Sequence, residues 1–209
     1  MLSADAIAGL HDQLNRIWHI EPEGGNAPAG DEWQNALPAE EWPRAVARQH
    51  RANFELWHIE DEARAPGATD AELAEVKRRV DSTNQRRNDL AEELDRELLA
   101  WLAERGLPNC EAALNSESPG LIIDRLSILS LKIWHTREEA ERTQAGPAHA
   151  KRNHERLAVL LEQRADLAHC LDALWSDTLA GKRRFKLYRQ LKMYNDPALN
   201  PAIYGRQNP

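Results

Sequence analysis

The stretch DSTNQRRNDLAEELD, residues Asp81 to Asp95, decides how the chain is read. Its period is helical, yet polar groups stand where a core-facing stripe should be apolar. Asp81, Asn84, Asn88 and Asp95 recur at steps of three, four and seven, so on a helix they form one continuous line. An apolar line, Leu73, Val76, Val80, Leu90, Leu94 and Leu98, runs beside it and must face the core. The polar line therefore sits at the core's margin, where Asn and Asp, poor helix formers, need a reason to be. Two reasons are open: hydrogen bonds that join helices, or the wall of a pocket.

Working outward, Thr69 with Glu72 forms a capping box that starts this helix, and Gly106 and Pro108 stop it near Arg105. Roughly 36 residues at about 1.5 Å each make a rod over about 50 Å long, so a kink or a projecting end is expected. Four more long helices are predicted. Ser3 caps the first, which buries Ile7, Leu10, Leu14, Ile17 and Trp18 and ends near His19. The second opens at about Pro43 and runs to about Ala65, where APGAT breaks it. Ser118 and Pro119 begin the fourth, which lasts to about Thr143. The fifth spans about His149 to Leu179, with Leu157, Leu160, Leu161, Leu167, Leu171, Leu174 and Trp175 in a core-facing period. EPEGGNAPAGDEWQNALP, between the first two helices, reads as an ordered loop around Trp33. After Gly181, KRRFKLYRQLKMY reads as a short basic amphipathic helix, followed by a Pro- and Asn-rich tail. The expected fold is all-α: one domain over residues 1–209, a bundle of about five long helices with a short basic C-terminal helix and an extended tail.

Composition agrees and narrows the function. With 42% hydrophobic residues in 209, the chain can bury a core of its own. A formal net charge of −7 disfavours long nucleic acid, which would need a local basic patch. Cys110 and Cys170 lie far apart without zinc-ligand or disulfide-framework spacing, so a reduced, cytoplasmic setting is expected. The first residues lack the pattern of a standard export signal, and no segment approaches the roughly 18 apolar residues of a membrane span.

Three polar faces fall on three helices. Asn53, Trp57, Glu60, Asp61 and Arg64 advance along the second; Asp81, Asn84, Arg87, Asn88, Asp89 and Asp95 along the third; Asp124, Arg125, Ser127, Lys132 and His135 interrupt an otherwise apolar fourth. Charges in so apolar a segment are costly to bury unless paired. If the faces converge, Arg64, Arg125 and Lys132 have Asp61, Asp89 and Asp124 as partners, in a closed ion-pair network that only fixes helix register. Left open on one side, the same groups would hold an anionic, sugar-like or phosphorylated ligand, with Asp89 or Asp124 as the candidate base. Ser118 to Gly120 would add the N–H groups of a helix N-terminus. Lys186 and Arg189 of the basic helix would add a second phosphate contact; alternatively that helix only packs on the bundle.

Metal binding has one partial signal: Glu55-x-x-His58 and Asp166-x-x-His169 share the carboxylate-x-x-His spacing of di-iron bundles. Such a site also needs inward glutamates from two further helices. Glu92 and Glu93 offer one, and the fourth helix offers Asp124 and no inward glutamate. No metal ligand is therefore assigned, the cofactor is unknown, and His58 is read as a hydrogen-bonded residue at the pocket's edge. There is no GxSxG, and neither cysteine has a recognisable partner for nucleophilic catalysis.

Four segments in order, NFELWHIEDEAR, DSTNQRRNDLAEELD, SPGLIIDRLSILSLKIWH and KRRFKLYRQLKMYNDPALNPAIYG, resemble a bacterial family catalogued as domain of unknown function 4254. The likeness covers about residues 42–205 and leaves 1–41 outside. The resemblance implies a helical protein encoded among genes for lipopolysaccharide and other surface glycans, and so a glycan-related role without a mechanism. The expectation is a cytoplasmic accessory or transferase-like protein binding a phosphorylated sugar or nucleotide-sugar. The competing expectation is a non-catalytic helical module that meets a protein partner or a second copy of itself.

Overall fold

The computed structural model describes residues 3–19, 37–191, 198–201 and 205. The expected loop around Trp33 and most of the C-terminal tail lie outside these residues. Five α-helices carry the described chain: α1 (Ala4–His19), α2 (Glu41–Glu62), α3 (Asp70–Ala103), α4 (Pro119–Glu141) and α5 (Pro147–Leu179). The all-α bundle expected from the sequence is what forms. Local signals set most boundaries. The Thr69 hydroxyl accepts the Glu72 N–H at 3.3 Å while the Glu72 carboxylate accepts the Thr69 N–H at 2.7 Å, so the capping box closes in both directions. Gly106 and Gly181 take φ of +67° and +68° just past α3 and α5, a backbone that side chains with a Cβ disfavour.

The core lies where α3, α4 and α5 meet. Leu94, Leu98 and Leu102 of α3 pack with Ile122, Ile123 and Leu126 of α4 and with Leu167, Leu171, Leu174 and Trp175 of α5. A second cluster, Leu14, Trp18, Ala47, Phe54 and Leu131, joins α1, α2 and α4. The long α3 projects as its length required: Val76 is buried, but Leu73 at the first turns is 39% exposed. There the helix lies beyond the core, and Arg79 pairs it to Glu62 of α2 at 2.5 Å. Two residues expected inside are out, Ile17 and Leu161, each on the flank of its helix's apolar stripe.

The basic helix does not form. Over the described residues 182–191 no helix is present, and β2 (Arg183–Arg184) pairs in parallel with β1 (Ala113–Leu114), Ala113 opposite Arg183. The Asn115 N–H donates to the Arg184 carbonyl at 2.8 Å, and the Arg184 guanidinium donates to the Ala112 carbonyl at 2.9 Å. Phe185 is driven into the main core, whereas Leu191 stands 80% exposed, so this segment has one deep anchor instead of an apolar helical face. Lys186 and Arg189 consequently sit exposed on an extended strap whose Gln190 N–H is held by Glu92 at 2.7 Å.

Candidate functional site

The polar faces meet around one carboxylate. Asp124 on α4 accepts from Gln49 (2.6 Å) and Asn53 (2.9 Å), one turn apart on α2, and from both Nε (2.8 Å) and Nη2 (2.5 Å) of Arg87 on α3. The network continues inward. Asn53 also donates to the Ser127 hydroxyl at 2.9 Å, and Ser127 lies 2.7 Å from His50 Nδ1, whose Nε2 lies 3.0 Å from the Asn15 side-chain oxygen on α1. With Asn15 as acceptor, His50 carries its proton on Nε2 and accepts a hydrogen bond from the Ser127 hydroxyl at Nδ1. Burial, helped by the adjacent His11, lowers the pKa of His50 well below the ordinary histidine value, in keeping with that neutral form.

The expected pairings are thereby corrected. Asp124 is matched by Arg87 and two amides; Arg125 turns away to Glu117 at 2.9 Å; and Arg64 bonds Glu60 one turn back on its own helix. Asp89 is exposed and accepts from Gln85 at 2.8 Å, Asn88 is half-buried, and the Asn84 side chain supports Arg87 at 3.5 Å. Around Asp124, then, the network is closed and the carboxylate is engaged on both oxygens. The remaining members of the α3 stripe diverge: Asp81 pairs with Lys77 at the surface, and Asp95 points at the start of α4.

That second contact fills the helix N-terminus expected to bind an external anion. The Gly120 N–H donates to Asp95 at 2.7 Å, and Ser118, Pro119 and Gly120 are all buried. A Cβ on Gly120 would overlap the Ala91 carbonyl oxygen and press on the Asp95 carboxylate. Ser118 to Gly120 thus hold the chain's own carboxylate, with α3 and α4 in close approach. Burial pushes the Asp95 carboxyl up to about 6, against the opposing pull of the Ser118 hydroxyl and the Gly120 N–H.

Three grooves run along the outer sides of α4. The largest, about 980 Å³ between α4 and α5, is lined by Arg125, Lys132 and Arg183 with Glu117, Asp166 and Asp177, and by His169 and Cys170. Arg125 and Arg183 are matched there to Glu117 and Asp177. A smaller one, about 340 Å³, gathers Asn53, Trp57, Asp61, Arg64 and Arg87. The third, about 760 Å³, has Trp57 and His135 with Lys132, Arg152 and Arg156, and Asn153 and Gln163 among its polar groups. Trp57 belongs to both of the last two. Neither Lys186 nor Arg189 lines any of these grooves.

Sequence spacing gives no hint of the next cluster. His19 at the end of α1, His58 on α2 and His135 on α4 bring one ring nitrogen each to within 4.8 Å of the others. Trp134 stacks on His19 with ring centroids 4.8 Å apart, Trp57 stacks on His135 at 4.6 Å, and Phe54 meets His19 and His58 edge-on. His19 is held down at about 4 chiefly by burial, with His135 and His58 adding to it, and His58 is lowered chiefly by burial, with His135 and Arg51 adding to it. The carboxylate-x-x-His pairs are not assembled: Glu55 is occupied by Arg51 and Arg86, while Asp166 and His169 line the α4–α5 groove. His19, Gln49, His50 and Asn15 are the residues that sequence reading passed over. A trace existed in α1, where His11, Asn15 and Trp18 follow the same three-and-four spacing as the buried Ile7 and Leu14.

Residues 43–187 match the family model described as a protein of unknown function, DUF4254, and the chain belongs to that family. Comparison with curated proteins and with solved structures found no match. Among the described residues no helix is long and apolar enough to cross a membrane.

Proposed function

We propose that this DUF4254 protein is a cytoplasmic binding or transferase-like component of surface-glycan synthesis that takes a phosphorylated sugar or nucleotide-sugar in the groove shared by α2, α4 and α5. One observation carries the reading. Lys132 and Arg152 are exposed at that groove and make no ion pair with any described residue, beside the Trp57 and His135 rings and the amides of Asn153 and Gln163. Free cations beside an aromatic wall suit an anionic ligand with a ring to pack, the cations holding phosphate and the amides choosing hydroxyls. Arg64, across Trp57 in the adjoining groove, would extend the same surface.

The closed bonding of Asp124 supports a second reading, a non-catalytic helical module whose polar core only sets register. Calorimetric titration with sugar phosphates and nucleotide-sugars separates the two. The Lys132→Ala/Arg152→Ala chain should bind the best ligand at least about tenfold more weakly, about 1.4 kcal/mol, with unchanged helical content. No binding across the panel by the parent chain would reject the ligand reading in favour of the module.

A further inference from the structure

The three histidines at the junction of α1, α2 and α4 are arranged in a way that packing does not explain. On His19 and His135 one ring nitrogen is already committed: His19 Nδ1 donates to the Asn15 carbonyl at 2.7 Å, and His135 Nδ1 lies 2.9 Å from the Glu138 carboxylate. His58 Nδ1 faces Asp61 at 3.9 Å. The Nε2 atom of all three is buried and has no hydrogen-bond partner among the described residues. A single buried polar atom left unsatisfied costs about 1–3 kcal/mol, and here three ring nitrogens of the same kind share one place.

We propose that His19, His58 and His135 form a three-histidine site for a divalent transition metal of the zinc class. Three imidazole nitrogens suit zinc, copper, nickel and cobalt, and not the oxygen-seeking calcium and magnesium. The contacts behind the rings are those a ligating histidine uses: an Nδ1–H given to a carbonyl or carboxylate fixes the tautomer and frees Nε2 for the ion. Asn15 and Glu138 serve that purpose for His19 and His135, and a small rotation brings Asp61 to serve His58.

The dimensions allow it. Nitrogens within 4.8 Å of one another lie no more than about 2.8 Å from a common centre, against about 2.0–2.1 Å for a zinc–imidazole bond, so each ring closes by under about 1 Å. Trp57, Trp134 and Phe54 wall the rings and limit competing rotamers. The His58 side chain is 40% exposed although its Nε2 is buried, so one edge of the cluster lies near solvent.

Chelator-treated full-length chain, titrated with cobalt(II) and then competed with zinc, tests the site. One equivalent should bind with the absorption of a low-coordinate ion. His58→Gln and His135→Gln should each weaken binding at least about 100-fold, and Glu138→Gln about 10–100-fold. His154→Gln, at an exposed position outside the cluster, should leave it unchanged. X-ray absorption of the zinc-loaded parent chain should count three imidazoles and needs no variant, so a misfolded variant does not blunt the test. Parent-like affinity in His58→Gln and His135→Gln, or fewer than three imidazoles on the ion, would overturn the proposal.

Discussion

Replacing Asp95 by Asn should stabilise the protein at neutral pH and do nothing of the kind in acid. The Asp95 carboxyl is 2% exposed at the α3–α4 contact and is raised from 3.8 to about 6, mainly by burial. In the unfolded chain it titrates near 3.8. Between those values the folded state binds a proton that the unfolded state does not, so stability falls as pH rises through the window. Above about pH 6 the full penalty is present, roughly two units at about 1.4 kcal/mol each, or about 3 kcal/mol. Asparagine keeps an oxygen for the Gly120 N–H but carries no charge. The Gly120 and Ser118 contacts are already contained in that net shift, so what offsets the gain is the burial of an extra amide NH2 donor, which costs about 1–2 kcal/mol where it is left unsatisfied. The net expectation is a gain of about 1–2 kcal/mol for Asp95→Asn at pH 7.5, shrinking to nothing by about pH 4. Urea denaturation of both chains at pH 4.5 and 7.5 measures it, with Asp95→Ala as the control that loses the acceptor at either pH. A difference between Asp and Asn that is the same at both pH values, or a loss at pH 7.5, would refute the assignment of Asp95 as a buried, strained charge.

Gly120→Ala should destabilise by about 1–3 kcal/mol, since its Cβ meets the rigid Ala91 carbonyl, and thermal unfolding reads this directly. Arg87→Ala should cost about 3 kcal/mol by leaving Asp124 with amide donors only, and the same change in an Asp124→Asn background should cost clearly less; equal costs in a denaturation cycle would mean the pair is not coupled. Phe185→Ala should cost about 3–5 kcal/mol and loosen the strap, seen as faster amide exchange at Arg184 and Asn115; a surface-like cost would place Phe185 outside the core.

The helices were legible because their start and stop signals are local. Thr69 with Glu72, Pro119 at the first turn of α4, and Gly106 and Gly181 act within a turn of themselves, so no knowledge of the rest of the chain is needed. The strap after Gly181 was misread for a physical reason. FKLYR satisfies a helical period loosely but a two-residue alternation well, with Phe185 buried, Lys186 exposed, Leu187 half-buried and Tyr188 exposed. What settles the choice is distant, namely the free edge at Ala113–Leu114 that the strap pairs with. Charge partners were illegible for the same reason: Arg87 and Asp124 lie on separate helices, and only the bundle's rotation about each axis decides that Arg87, not Arg64, reaches the carboxylate.

The polar stripe that opened the reading separates into two kinds of cluster, and their difference bears on function. Around Asp124 the donors and acceptors interlock across four helices, from Arg87 on α3 through Asn53 and His50 on α2 and Ser127 on α4 to Asn15 on α1. Turning α3 by one residue would carry Arg87 about 100° away and strand a buried carboxylate, so the network penalises misaligned helices severely and gives Asn and Asp their reason to be there. The histidine trio has no such role, because the Nε2 atoms bond to none of the described residues and would lose nothing there on misalignment. A polar cluster that fixes register must have its charge engaged within the chain, as the Asp124 carboxylate is on both oxygens, whereas one that receives a ligand must keep electron pairs free. By that criterion Asp124 belongs to the scaffold, and function is to be sought along the path from the His19–His58–His135 junction through Trp57 to the cations of the α4 grooves.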